Sequence, residues 1–200
     1  SLPYEEQLHW KQYNEVPKGP ISERAFKSDF NGEWSDDYDP LLSLKRKLGD
    51  LSAAKAPWWK LRSSDLTQKA HYPVTTSPDE WADEILHLDQ LLVEGLDEKT
   101  LRARCGETDL RIRSLGLLER CLVQYGFDDE RARDLVKPLK ELHDLRSKVK
   151  GHASGSDAKA LRQAAIKEHG SLREHYQALA QRCDESFAAI TTALNAPIDA

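Results

Sequence analysis

The chain holds 200 residues, 39% of them hydrophobic and 32% charged, with a formal net charge of −5. That length buries a full core and fits one domain, or one domain with an extension, while the acidic balance excludes a general nucleic-acid coating protein, which is basic. No apolar run approaches the ~18 residues needed to span a bilayer, and three cysteines without a CxxC pair exclude a zinc knuckle and a CxxC redox motif.

Residues 1–76 carry four of the five tryptophans, at 10, 34, 58 and 59, and only short helical signals. Glu5 to Tyr13 supports two turns. Ile21–Phe26 reads as a helix start, with Ser22 as N-cap and Ile21 stapled onto Phe26. Asp39-Pro40 opens another helix, aspartate capping and proline at the first helical position, predicted to run to Leu48 and stop at Gly49. Trp58-Trp59 and His71-Tyr72-Pro73 fall in predicted loops. The segment is expected to be an irregular, aromatic-rich extension of short helices that lies along a helical body, anchored by its tryptophans.

From Ser77 the pattern is regular. Ser77-Pro78-Asp79-Glu80 is a capping box with proline at the first helical position, and Trp81, Ile85, Leu88 and Leu92 follow at helical spacing. Gly95 or Asp97 interrupts, and helix resumes from Leu96 to Cys105. A further helix is predicted from Glu107–Asp109, with Leu115, Leu118, Leu122 and Tyr125 on its apolar stripe and Gly126 at its end. Asp128-Asp129 caps the next, with Leu135, Leu139, Leu142, Leu145 and Val149 inward and Pro138 as a kink or restart. Gly151 to Ser156 is a loop of small residues. The last helical stretch begins near Asp157 and bends or breaks at Gly170-Ser171. Leu172, Tyr176, Leu179, Cys183, Phe187, Ile190 and Leu194 then alternate spacings of three and four, the seam of a helix bundle. Cys121 and Cys183 sit on such stripes as small core residues. The predicted fold is all-α: an antiparallel bundle of four to five helices over 77–195, the extension 1–76 before it and a tail 196–200 after it.

Chemistry concentrates in Leu145-Arg146-Ser147-Lys148-Val149-Lys150-Gly151-His152. From Lys137 to His152 five Lys/Arg face two acids, a net of +3. Arg146 and His152 are six positions apart, about 600° on a continuous helix, so they do not share a face there. Gly151 is suited to the left-handed turn that ends a helix and returns His152 toward Arg146. A plainer reading competes: cations near a helix C-terminus oppose the macrodipole, Arg146 pairs with Asp144 or an acid of a neighbouring helix, and His152 caps the last carbonyls.

An all-helical bundle with an Arg-x(4–6)-His element at the end of its third long helix resembles the HEPN superfamily of prokaryotic defence and toxin systems, over residues 77–195. The resemblance implies a metal-independent, cofactor-free ribonuclease or RNA-binding effector acting as a homodimer, with two copies of the motif in one cleft. Arg146 would hold the phosphate and stabilise the charge that develops on it, and His152 would be the general acid or base. Lys148, Lys150, Ser147 and His143 would contact the RNA. Ser147 departs from the family pattern, which has Asn, Asp or His directly after the arginine. The alternative is a non-catalytic helical module for dimerisation or protein docking, in which Arg146 is consumed by an intramolecular ion pair.

Other constellations carry less. His169 and His175 flank Gly170, share no face of a straight helix and lack a third ligand, so no metal is expected. No P-loop, GxGxxG, GxSxG, HExxH or EF-hand pattern occurs. Reduced thiols and no secretory leader predict a cytoplasmic chain. A start at Ser1 with no methionine in the sequence predicts a piece of a larger protein, whose other domains are further partners.

Overall fold

The computed structural model describes residues 3–12, 26, 31–32, 38–151 and 156–195. The chain divides into two units, Ser1–Tyr38 and Asp39–Ala200. In the first, α1 (Tyr4–Gln12) forms where two turns are predicted, with Tyr4 and Leu8 exposed. The predicted start at Ile21–Phe26 lies, apart from Phe26, outside the described residues, as does the tail 196–200.

The second unit is all-α. Its helices are α2 (Pro40–Ala53), α3 (Leu66–Lys69), α4 (Pro78–Leu92), α5 (Glu98–Cys105), α6 (Ser114–Gln124), α7 (Asp129–Arg146), α8 (Ser156–His169) and α9 (Leu172–Asn195). A π-helical turn, Ser147–Gly151, continues α7. Among the described residues the nearest thing to a sheet is one antiparallel bridge, Trp59 to Leu96. No described helix is long and apolar enough to cross a membrane.

The caps predicted at Asp39, Ser77 and Asp128 form, while the one predicted at Ser22 lies outside the described residues. Asp39 Oδ1 accepts from Leu42 N–H at 2.9 Å and Asp128 Oδ1 from Arg131 N–H at 2.8 Å. Asp97 accepts from Thr100 N–H at 2.7 Å and opens α5. At α4 only half of the capping box closes. Ser77 Oγ accepts from Glu80 N–H, but the Glu80 carboxylate turns to the N–H groups of Val74 and Thr75, at 2.7 and 2.8 Å. Hydrogen bonds from Thr75 and Val74 hold the Glu80 carboxyl below the usual carboxylate range.

Three expectations are corrected. First, α2 runs through Gly49, because Leu51 continues the buried stripe of Leu41, Leu44 and Leu48. Burying one more leucine outweighs the roughly 1 kcal/mol that glycine costs a helix. Second, α6 starts at Ser114 rather than near 107–109. The Arg102 guanidinium donates to the carbonyls of Asp109 and Ile112, at 2.8 and 2.7 Å, and holds this stretch as a turn. Third, of the kink or restart expected at Pro138 the restart does not occur, since α7 runs through it. The neighbours of Pro138, Val136, Leu139 and Leu142, are fully buried, and that packing carries the helix across the missing N–H. Position 76 falls inside the second unit, which begins at Asp39.

Residues 39–76 therefore build the core. Trp58 and Trp59 are buried against Phe187 of α9, with ring centroids 5.9 and 6.5 Å away. Their indole N–H groups are both used, Trp58 on Asn195 Oδ1 and Trp59 on the Leu91 carbonyl, each at 3.2 Å. The segment 58–60 crosses 95–97 through Lys60 N–H to Gly95 O and Asp97 N–H to Trp58 O. Gly95 is required there, since a Cβ at 95 would overlap the Trp59 indole. The α9 stripe from Leu172 to Leu194 is buried throughout, and α9 packs on α2, α4, α7 and α8. Asp184, on the same helix, is buried and meets Lys47 Nζ of α2 at 2.6 Å.

Candidate functional site

Arg146 closes α7 with its side chain one-third exposed. Helix α7 packs along α4, and α4 supplies the partner. Asp89 lies on the buried face of α4 with no exposed side-chain surface. The Arg146 Nη2 is 3.1 Å from Glu94 Oε1, and its Nε is 3.7 Å from Asp89 Oδ2, within ion-pair range but too long for a hydrogen bond. His143 is one turn earlier on α7, and its Nδ1 is 3.0 Å from Asp89 Oδ1. With Asp89 ionised, Nδ1 carries the proton and donates it. Burial holds the Asp89 carboxyl above its ordinary range, while the His143 hydrogen bond and the charges of His143 and Arg146 pull it back.

The cluster extends outward. Glu94 also meets Arg62 Nη1 at 3.3 Å, and Arg62 Nε donates to the Glu94 backbone carbonyl at 2.8 Å. Lys150 on the π turn pairs with Asp83 of α4. Lys140 pairs with Glu119 of α6 at 2.6 Å. The basic stretch read from the sequence is thus met by acids of other helices, and three of its five cations are engaged.

The predicted site residues separate. His143 and Arg146 converge on Asp89, and Lys150 lies on the same side through Asp83. Ser147 is half-buried, and its N–H bonds back into the end of α7. Lys148 is exposed and lines a different cleft, of about 270 Å³, with Asp144, His175 and Arg182. His152 lies outside the described residues.

Sequence reasoning missed Asp89 and Glu94. For Asp89 a signal existed. Trp81, Glu84, Ile85, Leu88, Asp89 and Leu92 occupy one helical face, so Glu84 and Asp89 are acids written into an apolar stripe. An acid at such a position needs a partner on the helix packed against it. Glu84 finds its partners in the loop before α4 and on α4 itself: it accepts from the His71 N–H at 2.8 Å, and its other oxygen lies 3.3 Å from His71 Nε2 and 3.4 Å from His87 Nδ1.

Gly170 does what was expected of Gly151. Its φ of +87° breaks the chain between α8 and α9 and brings the His169 and His175 rings to 5.1 Å, which a straight helix forbids. His175 also meets the buried Trp81 ring edge-to-face at 5.5 Å. Burial, then the nearby His169 and Arg182, push the His175 imidazole down to about 4. Among the described residues no group of three His, Cys, Asp or Glu is placed to hold a metal ion.

The fold and the cluster define an all-α chain in which His143 and Arg146 of one helix converge on the buried Asp89 of another. Comparison with protein-family models, with curated proteins and with solved structures returned no match.

Proposed function

We propose that this chain is a non-catalytic helical interaction module in which Arg146 is a structural cation. The observation that carries this reading is the placement of Arg146 between Asp89 and Glu94. A guanidinium already paired with carboxylates must give up those charge-assisted contacts to hold phosphate. Here two carboxylates already neutralise it, and RNA would have to displace them against the field of Asp83, Asp89 and Glu94. The acidic net charge adds to that cost.

One observation favours the HEPN-like ribonuclease as a second reading. His143 is held through Nδ1 by a buried carboxylate while 42% of its side chain stays exposed, the arrangement of an oriented general base. In that reading His143 and His152 share the proton transfers and Arg146 leaves Glu94 when substrate binds.

The two readings separate on RNA cleavage. A mixed RNA pool is incubated with the chain in excess chelator, beside Arg146→Ala, His143→Ala and His152→Ala. The interaction module predicts no cleavage above buffer by any of the four, at concentrations where sedimentation shows self-association. Chelator-resistant cleavage by the wild type, lost in Arg146→Ala and His152→Ala, would overturn it in favour of the nuclease.

A further inference from the structure

Helices α5 and α6 carry two thiols against each other. Cys121, buried on α6, donates its thiol to the Leu101 carbonyl of α5 at 3.1 Å. That carbonyl is also the helical acceptor for the N–H four residues on, which is that of Cys105. One backbone oxygen therefore holds the Cys121 sulfur beside the Cys105 backbone. The Cys105 sulfur sits 3.8 Å from the carbonyl of Arg102, the residue next to Leu101, so adjacent carbonyls of one turn of α5 hold both thiols. Cys105 is half-exposed at the end of α5; Cys183 is buried elsewhere, with its thiol toward the Pro138 carbonyl of α7.

We propose that Cys105 and Cys121 form a peroxide-sensitive dithiol that closes to an intramolecular disulfide between α5 and α6. The oxidant is a hydroperoxide. Its terminal oxygen is transferred to the Cys105 sulfur, the O–O bond breaks, and water or an alcohol leaves, giving a sulfenic acid. The Cys121 sulfur then attacks the Cys105 sulfur. The S–S bond forms as the S–O bond breaks, and the hydroxyl departs as water with the Cys121 proton. Two electrons pass from the thiols to the peroxide.

The division of labour follows from the surroundings. Cys105 is the sulfur a solute reaches first. Burial pushes the Cys121 thiol up to about 12, so Cys121 is a poor first nucleophile and acts only because the sulfenic acid forms beside it. The bridge would close the non-helical turn 106–113, which the Arg102 hydrogen bonds now tie together with the Arg113–Glu98 and Arg120–Glu107 ion pairs. It would also fix the end of α5, where Arg104 donates to the Leu194 carbonyl of α9 at 2.8 Å.

The test treats the whole chain with hydrogen peroxide, alkylates the remaining thiols and maps the peptides by mass spectrometry. The expected product is a Cys105–Cys121 cross-linked peptide pair, lighter by about 2 Da for the two hydrogens lost and reversed by dithiothreitol. Cys183→Ser is expected to give the same bridge. In Cys121→Ser, Cys105 is expected to run on to sulfinic acid, a gain of about 32 Da. Sulfinic acid at Cys105 of the wild type with Cys121 still alkylatable would overturn the proposal. So would an unreactive Cys105, or a bridge to Cys183 or to a second chain. The wild-type map decides even if Cys121→Ser fails to fold.

Discussion

Helix α9 and helix α7 meet their neighbours in different proportions of apolar and ionic contact. The α9 seam is mostly apolar: Tyr176, Phe187 and Ile190 are fully buried, Phe187 on the Trp58–Trp59 segment, and one ion pair, Asp184 to Lys47 of α2, joins them. The α7 seam mixes apolar contacts with an ionic junction, His143 and Arg146 on Asp89 and Glu94. Burying apolar area is non-directional and needs only the right side of the helix inward. A buried ionic junction needs particular atoms at particular distances and stabilises only if every charge finds its partner. The first kind of seam is robust to chemistry and sensitive to volume; the second is the reverse.

The largest effect is expected at the apolar seam. Phe187→Ala removes a ring packed on two buried indoles and should cost about 3–5 kcal/mol, read as a lower denaturant midpoint. Volume-conserving Phe187→Leu should recover most of it. A Phe187→Ala loss below about 1 kcal/mol would mean that the Trp58–Trp59 segment does not pack as described.

At the polar seam Arg146→Ala is expected to cost about 2 kcal/mol, less than a fully buried pair because the arginine is one-third exposed. It strips Asp89 of a compensating charge and should raise the pH at which that carboxyl titrates, measurable by carboxyl NMR. A double-mutant cycle with Asp89→Asn should return a coupling near 1 kcal/mol. Additive losses would show that Arg146 and Asp89 do not interact.

The seams meet where α4 contacts α9, at Trp81 and His175. Folded His175 resists protonation until about pH 4, whereas its unfolded counterpart takes a proton near 6.5. The stability contributed by neutral His175 is therefore complete above about pH 6.5 and is lost as pH falls toward 4, on the order of 1–2 kcal/mol after solvent screening. His175→Phe keeps an aromatic ring beside Trp81 and should flatten that part of the stability–pH curve. An unchanged slope would assign the acid sensitivity to other groups.

The smallest effect should be a gain. Gly49 lies on the exposed side of α2, with open space where a Cβ would stand. Gly49→Ala should stabilise by about 0.5–1 kcal/mol. A destabilised variant would mean that the helix breaks at Gly49 after all.

What could be read in advance follows the same division. The α9 stripe, the Asp39, Ser77 and Asp128 caps and the glycine ends at Gly126 and Gly170 were legible, because each rests on a local spacing or a backbone preference. The helical extent of α2 was not: Gly49 is a local signal for a stop, and only the burial of Leu51 overrides it. The late start of α6 depended on Arg102 reaching over the turn. Trp58 and Trp59 were legible as anchoring aromatics of a non-helical segment, but their depth in the core was not, because the segment 58–60 is held by a bridge to 95–97 that no local pattern announces.

The candidate site divides in the same manner. The sequence by itself determined that the chain is all-α, where most of its helices begin, and that His143, Arg146 and Lys150 sit near the end of one of them. Only the tertiary structure decided what those cations face. Asp83, Asp89 and Glu94 lie more than fifty positions earlier in the chain, and the packing of α4 on α7 turned a basic stretch into a neutralised junction. Periodicity is a property of neighbours along the chain, whereas charge compensation is a property of neighbours in space.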